Sequence, residues 1–235
     1  LTRARPEPAP ALRDEPPAPP GAPFDWSAAE RQLAAAEAAA LDDARAEGRL
    51  PGVIEWVPTF CGVTVHVDPD LADPEALAAS LLALAREARA QADTGRLWTV
   101  PVCFDPDMGP DLDAVAAARG LDRHSLIERF VASEFTVCML GFLPGFPYLS
   151  GLPAELEMPR LATPRSRVPA GSVAIAGRMA AIYPWDSPGG WRLLGRTPLR
   201  LFDASQADRP ALLAPGDRIR WQVVGPEALS AQAAP

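Results

Sequence analysis

Three arginines, Arg160, Arg165 and Arg167, fall within eight residues in the proline-punctuated run "PRLATPRSRVP". A guanidinium on a rigid loop presents a fixed fork of donors that suits a carboxylate or a phosphate. Gly171 and Ser172 follow at once. A second unusual run, "YPWDSPGGW" at 183–191, packs two prolines, two adjacent glycines and three aromatic rings into nine positions. Pro184 and Pro188 exclude a helix. Gly189 and Gly190 let the backbone approach a neighbour closely, and Trp185 and Trp191 bring large apolar surface with one N–H each. A third run, "GFLPGFPYLSGLP" at 141–153, has the same character and contributes Phe146. Rigid loops of this kind hold groups in place at low entropic cost. The expectation is that they converge at one mouth of a β domain, with Arg165 pointing in. Phe146, Gly171, Ser172, Tyr183, Ser187, Gly189, Gly190, Trp191 and Arg196 are the other candidates for the cleft.

Other chemistries find less support. Ser172 and Ser187 lie beside or near glycines, but neither histidine, His66 or His124, is near them in sequence. No Ser-His-Asp or Cys-His order is compelling. His66 reads as a structural strand residue and His124 as solvated in a polar first turn. Cys61, Cys103 and Cys138 are too few and too far apart for a disulfide framework or a zinc site. Buried free thiols in a reducing cytoplasm are the expectation, and no metal is assigned. All 22 basic residues are arginine, so the lysine of a GxxxxGK[ST] phosphate loop is missing.

The elements that must position these loops fall into two sets. Residues 1–23 read as a disordered Pro/Ala tail. "SAAERQLAAAEAAALDDARAEG" is a helix with a Ser27–Glu30 capping box and a stop at Gly48. Strands at "GVIEWVP" and "GVTVHVDP" follow, then a helix from Asp73 or Pro74 to about Arg89, then a strand at "LWTVPVCF" (97–104). These make a small α/β domain over 24–108. From 109 to 235 the chain reads as a second domain: two short helices, "DLDAVAAARG" (capped) and "DRHSLIERFVAS", lead into strands broken every 6–12 residues by Gly or Pro. Leu126, Ile127, Phe130 and Val131 face inward from the second helix. "SVAIAG", "MAAIYP", "WRLLGR", "LRLFD" and "DRIRWQVV" are its strand runs, the spacing of a barrel or sandwich. The fold class is α+β.

The 235 residues carry a net charge of −8 and a pI near 4.8. That balance argues against nucleic acid as a partner. No apolar run reaches about 18 residues, so a membrane span is not expected, and the proline-rich start does not read as a signal peptide.

"GFLPGFPYLSGLP", "TPR…VPAGSVAIAG", "YPWDSPGGWRLLGRTPLRLFD" and "LLAPGDRIRW", in this order, resemble the carboxyltransferase-domain family of the 5-oxoprolinase B-type subunit. That family includes the Kip-type sensor-kinase inhibitors and proteins labelled allophanate hydrolase subunit 1. The resemblance covers roughly residues 51–223. It implies a cyclophilin-like β-barrel for the C-terminal domain and, as partner, a homologue of the C-type subunit. With a third, A-type subunit, such complexes open 5-oxoproline to glutamate at the expense of ATP. Arg165 is the basic group within a motif that the resemblance singles out, and a fixed guanidinium there would suit a carboxylate such as that of 5-oxoproline. Two departures stand out. The family's first strand, before the first helix, is replaced by the tail. Where relatives commonly carry a histidine five residues before the aromatic of the next strand, Phe135, this chain has Phe130. Two function classes stay open: a component of an ATP-dependent amidohydrolase that is inactive alone, or a binding protein that inhibits a sensor histidine kinase. A standalone hydrolase is the weaker reading.

Overall fold

The computed structural model describes residues 40–59, 63–88 and 95–230. The expected tail, most of the first expected helix and Cys61 lie outside them. Residues 40–46 are helical. Strands β1 (Val53–Pro58) and β2 (Val63–Val67) form an antiparallel hairpin, and helix α1 (Pro74–Ala88) follows. Proline is tolerated at the first position of α1 because its missing N–H would have no partner there. Asp73 caps the helix: its Oδ1 accepts the N–H of Glu75 at 3.0 Å and of Ala76 at 3.3 Å. On β2, Val63, Val65 and Val67 turn to the packed side while Thr64 and His66 face water. Leu41, Ala44, Leu50 and Leu84 close this small core.

The larger unit is a seven-stranded sheet. Its strands are β3 (Leu97–Val102), β4 (Phe135–Leu140), β5 (Pro147–Ser150), β7 (Ser172–Ala176), β8 (Met179–Ile182), β10 (Arg192–Arg196) and β11 (Arg218–Val223), in the spatial order β10-β7-β8-β5-β4-β11-β3. All pairings are antiparallel except β11 with β3. The two edges nearly meet: Cys103, just beyond β3, exchanges both backbone hydrogen bonds with Arg196 of β10, each 2.8 Å long. The result is a nearly closed barrel, which removes the exposed edges of an open sheet.

This closure corrects one expectation. Sequence order groups the strand at 97–102 with the small domain, but it pairs with β11 and completes the barrel. Its partner lies far along the chain, with Arg218 opposite Leu97, so local pattern could not assign it. Likewise "LRLFD" forms no strand; only Phe202 makes an isolated bridge, to Ala211.

Helices α2 (Leu112–Ala118) and α3 (Arg123–Ala132) cover the barrel. Asp122 caps α3 by accepting the Ser125 N–H at 2.8 Å. Leu126 and Phe130 are fully buried, with Ile127 and Val131 packed at the margin, as the helical period predicts. Phe130 sits among Phe104, Phe135 and Trp221, with ring centroids 5.0–6.1 Å away. Phe130, the departure that the resemblance singles out, therefore lies in the apolar core.

Candidate functional site

A two-stranded ribbon gathers the Gly/Pro loops. Strands β6 (Arg165–Val168) and β9 (Ser187–Gly189) pair antiparallel, with Arg165 opposite Gly189 and Val168 opposite Ser187. The Leu161 N–H donates to the Gly190 carbonyl at 2.7 Å, and the Trp185 indole donates to the Pro144 carbonyl at 3.2 Å. The three runs that the sequence offered as a cleft thus come together.

Their rings form one cluster. Phe146 packs against Tyr148, Tyr183 and Trp191 at centroid distances of 5.0, 5.1 and 6.2 Å. Phe142 lies edge-on against Phe146 at 5.4 Å. Phe142 is 63% exposed and holds a φ of 69°, a conformation that side chains other than glycine's rarely adopt. Phe146, Tyr183 and Trp191 are buried, whereas Trp185 is 41% exposed. The two indoles of "YPWDSPGGW" therefore part ways: Trp191 joins the cluster and Trp185 turns outward onto Phe202. Gly189 is required by close approach, because a Cβ there would overlap the Tyr183 hydroxyl.

The remaining candidates brace the cluster. Gly171 has a φ of 81° and donates its N–H to the Tyr183 carbonyl, while the Tyr183 N–H donates to the Ser172 carbonyl. Arg196 Nε donates to the Ala170 carbonyl at 2.7 Å. The Ser172 hydroxyl is spent on the Pro169 carbonyl at 2.7 Å. Ser187 Oγ is buried without a hydrogen-bond partner. His124 is 82% exposed beside Glu128, and His66 is exposed on β2. Neither histidine is hydrogen-bonded to Ser172, whose hydroxyl is bound to Pro169, or to Ser187, whose hydroxyl has no partner among the described residues.

The arginines differ sharply. Arg165 Nη2 binds Asp111 Oδ1 at 2.7 Å, and its Nη1 reaches the Trp191 carbonyl at 3.4 Å. Arg167 is exposed and binds Asp186 through Nε at 2.8 Å and Nη2 at 2.5 Å. The guanidinium of Arg160 lies over the Trp191 ring, 5.7 Å from its centroid.

Asp111 is the residue that sequence reasoning missed. It precedes α2, where an aspartate reads as a helix cap, yet its side chain makes no capping bond. Its Oδ2 instead accepts the Leu193 N–H at 2.7 Å, and its own N–H donates to the Leu193 carbonyl at 3.0 Å. Leu193 begins the bulge of β10, and the irregular ladder there leaves an N–H for the carboxylate. One buried side chain thus ties α2, the bulge and Arg165 together.

Burial holds the phenols of Tyr148 and Tyr183 above the ordinary tyrosine value of 10.0. For Tyr183 a backbone hydrogen bond from Trp191 and the charges of Arg160 and Arg165 pull the other way, while Tyr148 pushes it up. Both phenols are neutral donors at physiological pH. A neutral aromatic wall edged by fixed guanidiniums can seat a small, flat, anionic molecule. Among the described residues, no group of acidic, histidine or cysteine side chains could hold a metal ion, and no helix is long and apolar enough to cross a membrane.

Comparison with known proteins decides the family. Residues 24–213 match the carboxyltransferase domain, subdomain C and D. The chain is 42% identical to the 5-oxoprolinase B-type subunit of Escherichia coli O157:H7, over 73% of this chain and 78% of that one. The chain belongs to the family of the 5-oxoprolinase B-type subunit. A crystal structure designated TTHA0988 superposes with a TM-score of 0.72 at 34% identity, covering 84% of this chain. This chain spans only 38% of that longer protein. The Kluyveromyces lactis urea carboxylase shares the fold, with a TM-score of 0.62 at 20% identity over 85% of this chain and 20% of its own. The barrel of this 5-oxoprolinase relative is therefore the carboxyltransferase-domain architecture.

Proposed function

We propose that the chain is the B-type subunit of an ATP-dependent 5-oxoprolinase, which opens 5-oxoproline to glutamate. The 42% identity to a protein of that name carries the reading. The named relatives favour this reading over the kinase-inhibitor alternative. A C-type subunit docks on this chain to complete a carboxyltransferase-like unit, and an A-type subunit joins them in the cytoplasm. The longer relatives, of which this chain covers a fraction, agree with a unit built from more than one part. The complex uses ATP, and this chain does not hold it by a GxxxxGK[ST] phosphate loop, because it has no lysine. ATP supplies the driving force for opening a stable lactam. This chain's own residues bind and orient the substrate: a guanidinium of the arginine loop at residues 160–167 meets its carboxylate, and the Trp191 and Tyr148 rings shelter its ring from water. Exclusion of water strengthens such a pairing.

The test is reconstitution. Co-expressed with its A- and C-type subunits, the chain should elute in a stoichiometric complex that converts 5-oxoproline to glutamate only with ATP. The purified chain alone should do neither. Failure to associate, or an associated complex that leaves 5-oxoproline untouched, would overturn the proposal.

A further inference from the structure

We infer that Arg160, rather than Arg165, is the cation that receives the substrate's carboxylate, at the Trp191 edge of the aromatic cluster. The inference rests on the functional reading above and names the group that performs its recognition step.

Three arginines share the loop, and two already hold carboxylates. Arg165 is bound to Asp111, itself only 7% exposed, so the pair is close to neutral and turned partly inward. A ligand carboxylate reaching for Arg165 would meet the charge of Asp111. Drawing the guanidinium away would leave that carboxylate buried and unpaired, which is costly. Arg167 is held by Asp186 through two bonds, at an exposed position. Arg160 is exposed and rests on Trp191 by a cation–π contact, without an acidic partner among the described residues. Its charge also reaches the phenols of Tyr148 and Tyr183. The stacked ring steadies the guanidinium without consuming its N–H donors, which stay available for a bidentate bond. Trp191 is in turn kept in place by the Phe146 and Tyr148 rings. The site so formed suits a small carboxylate with a flat ring, which describes 5-oxoproline.

The experiment uses the assembled complex and two probes: 5-oxoproline, and the neutral lactam 2-pyrrolidinone, which lacks the carboxylate. Calorimetric titration should show Arg160→Gln weakening 5-oxoproline by about ten-fold or more, the loss of a charge-assisted contact, with 2-pyrrolidinone unchanged. Arg160→Lys keeps the charge without the fork and should recover part of the affinity. If the wild-type complex binds 5-oxoproline and Arg160→Gln binds it equally well, the inference fails and the functional proposal stands. Equal weakening of both probes would show that Arg160 shapes the site without reading the carboxylate, and would also overturn it. A wild-type complex that binds no 5-oxoproline removes the functional proposal and this inference together.

Discussion

Two aromatic clusters lie in the barrel unit, and their ring geometry is nearly the same. In the central core Phe130 meets Phe135 at 5.0 Å and Trp221 at 5.3 Å. At the site Phe146 meets Tyr148 at 5.0 Å and Tyr183 at 5.1 Å. The polar content differs. Around Phe130 the neighbours are apolar, and the indole N–H of Trp221 is buried without a partner. Around Phe146 two phenols, the Arg160 guanidinium and the Arg165–Asp111 pair edge the rings. Ring packing alone therefore does not mark a site. What marks it is the set of polar groups that the fold keeps at the rim of the rings, where they remain partly open to a ligand.

The largest effect should come from the central cluster. Phe130→Ala removes a fully buried ring and should cost about 3–5 kcal/mol of stability, read by chemical denaturation. Substrate affinity of the folded fraction should not change. A stability loss below about 1 kcal/mol would contradict the tight packing of Phe130, and a loss of substrate affinity in the folded fraction would show that the two clusters are not separate units.

The next effect should come from the strut beneath the site. Asp111→Ala strands the Leu193 N–H and the Arg165 guanidinium. Breaking a buried pair in this way costs about 3–5 kcal/mol; with the Arg165 side chain 29% exposed, solvent screening lowers the expected loss to about 2–3 kcal/mol. Asp111→Asn keeps an acceptor for Leu193 and should lose less. Equal stability of all three proteins would show that the clamp contributes nothing.

A smaller loss separates the phenol from its ring. Tyr183→Phe leaves the packing against Phe146 and removes the oxygen that accepts a hydrogen bond from the Trp191 backbone. About 1–2 kcal/mol is expected, the cost of leaving a buried donor unsatisfied. The same substitution tested against Tyr183→Leu isolates the hydroxyl from the ring.

The mildest test is a titration. Tyr148 and Tyr183 are the only tyrosines in the chain, so tyrosinate absorbance reports this cluster alone. Both should ionise above 10.0. Their folded values exceed the unfolded one, so the associated stability is complete below about pH 10 and is lost as pH rises through the folded values. Arg160→Gln removes a charge that lowers both and should move the two steps higher still. Midpoints at 10 in the folded protein would contradict the buried cluster.

Much of this architecture can be read from local pattern. α1 begins at a capping aspartate followed by proline, and α3 shows an inward stripe; both are set by contacts three or four residues apart, which sequence displays directly. The three Gly/Pro runs announce rigid loops because proline and glycine act on their own backbone. Asp111 resisted the same treatment. An aspartate before a helix is a cap by local rules, and only Leu193, 82 residues later, makes it a clamp.

The sequence by itself determined α1 and α3, most of the strand runs, the rigid loops and the family, each through short-range periodicity or ordered motifs. Tertiary structure decided which strand closes the barrel, since β3 reaches its place only by pairing with β11 and bridging to β10. It also decided which of three neighbouring arginines has no carboxylate partner among the described residues. Arg160, Arg165 and Arg167 are chemically identical and sit in similar local sequence. Their difference lies in the carboxylates that the folded chain brings to two of them from distant positions, because electrostatic pairing depends on distance in space and not on distance along the chain.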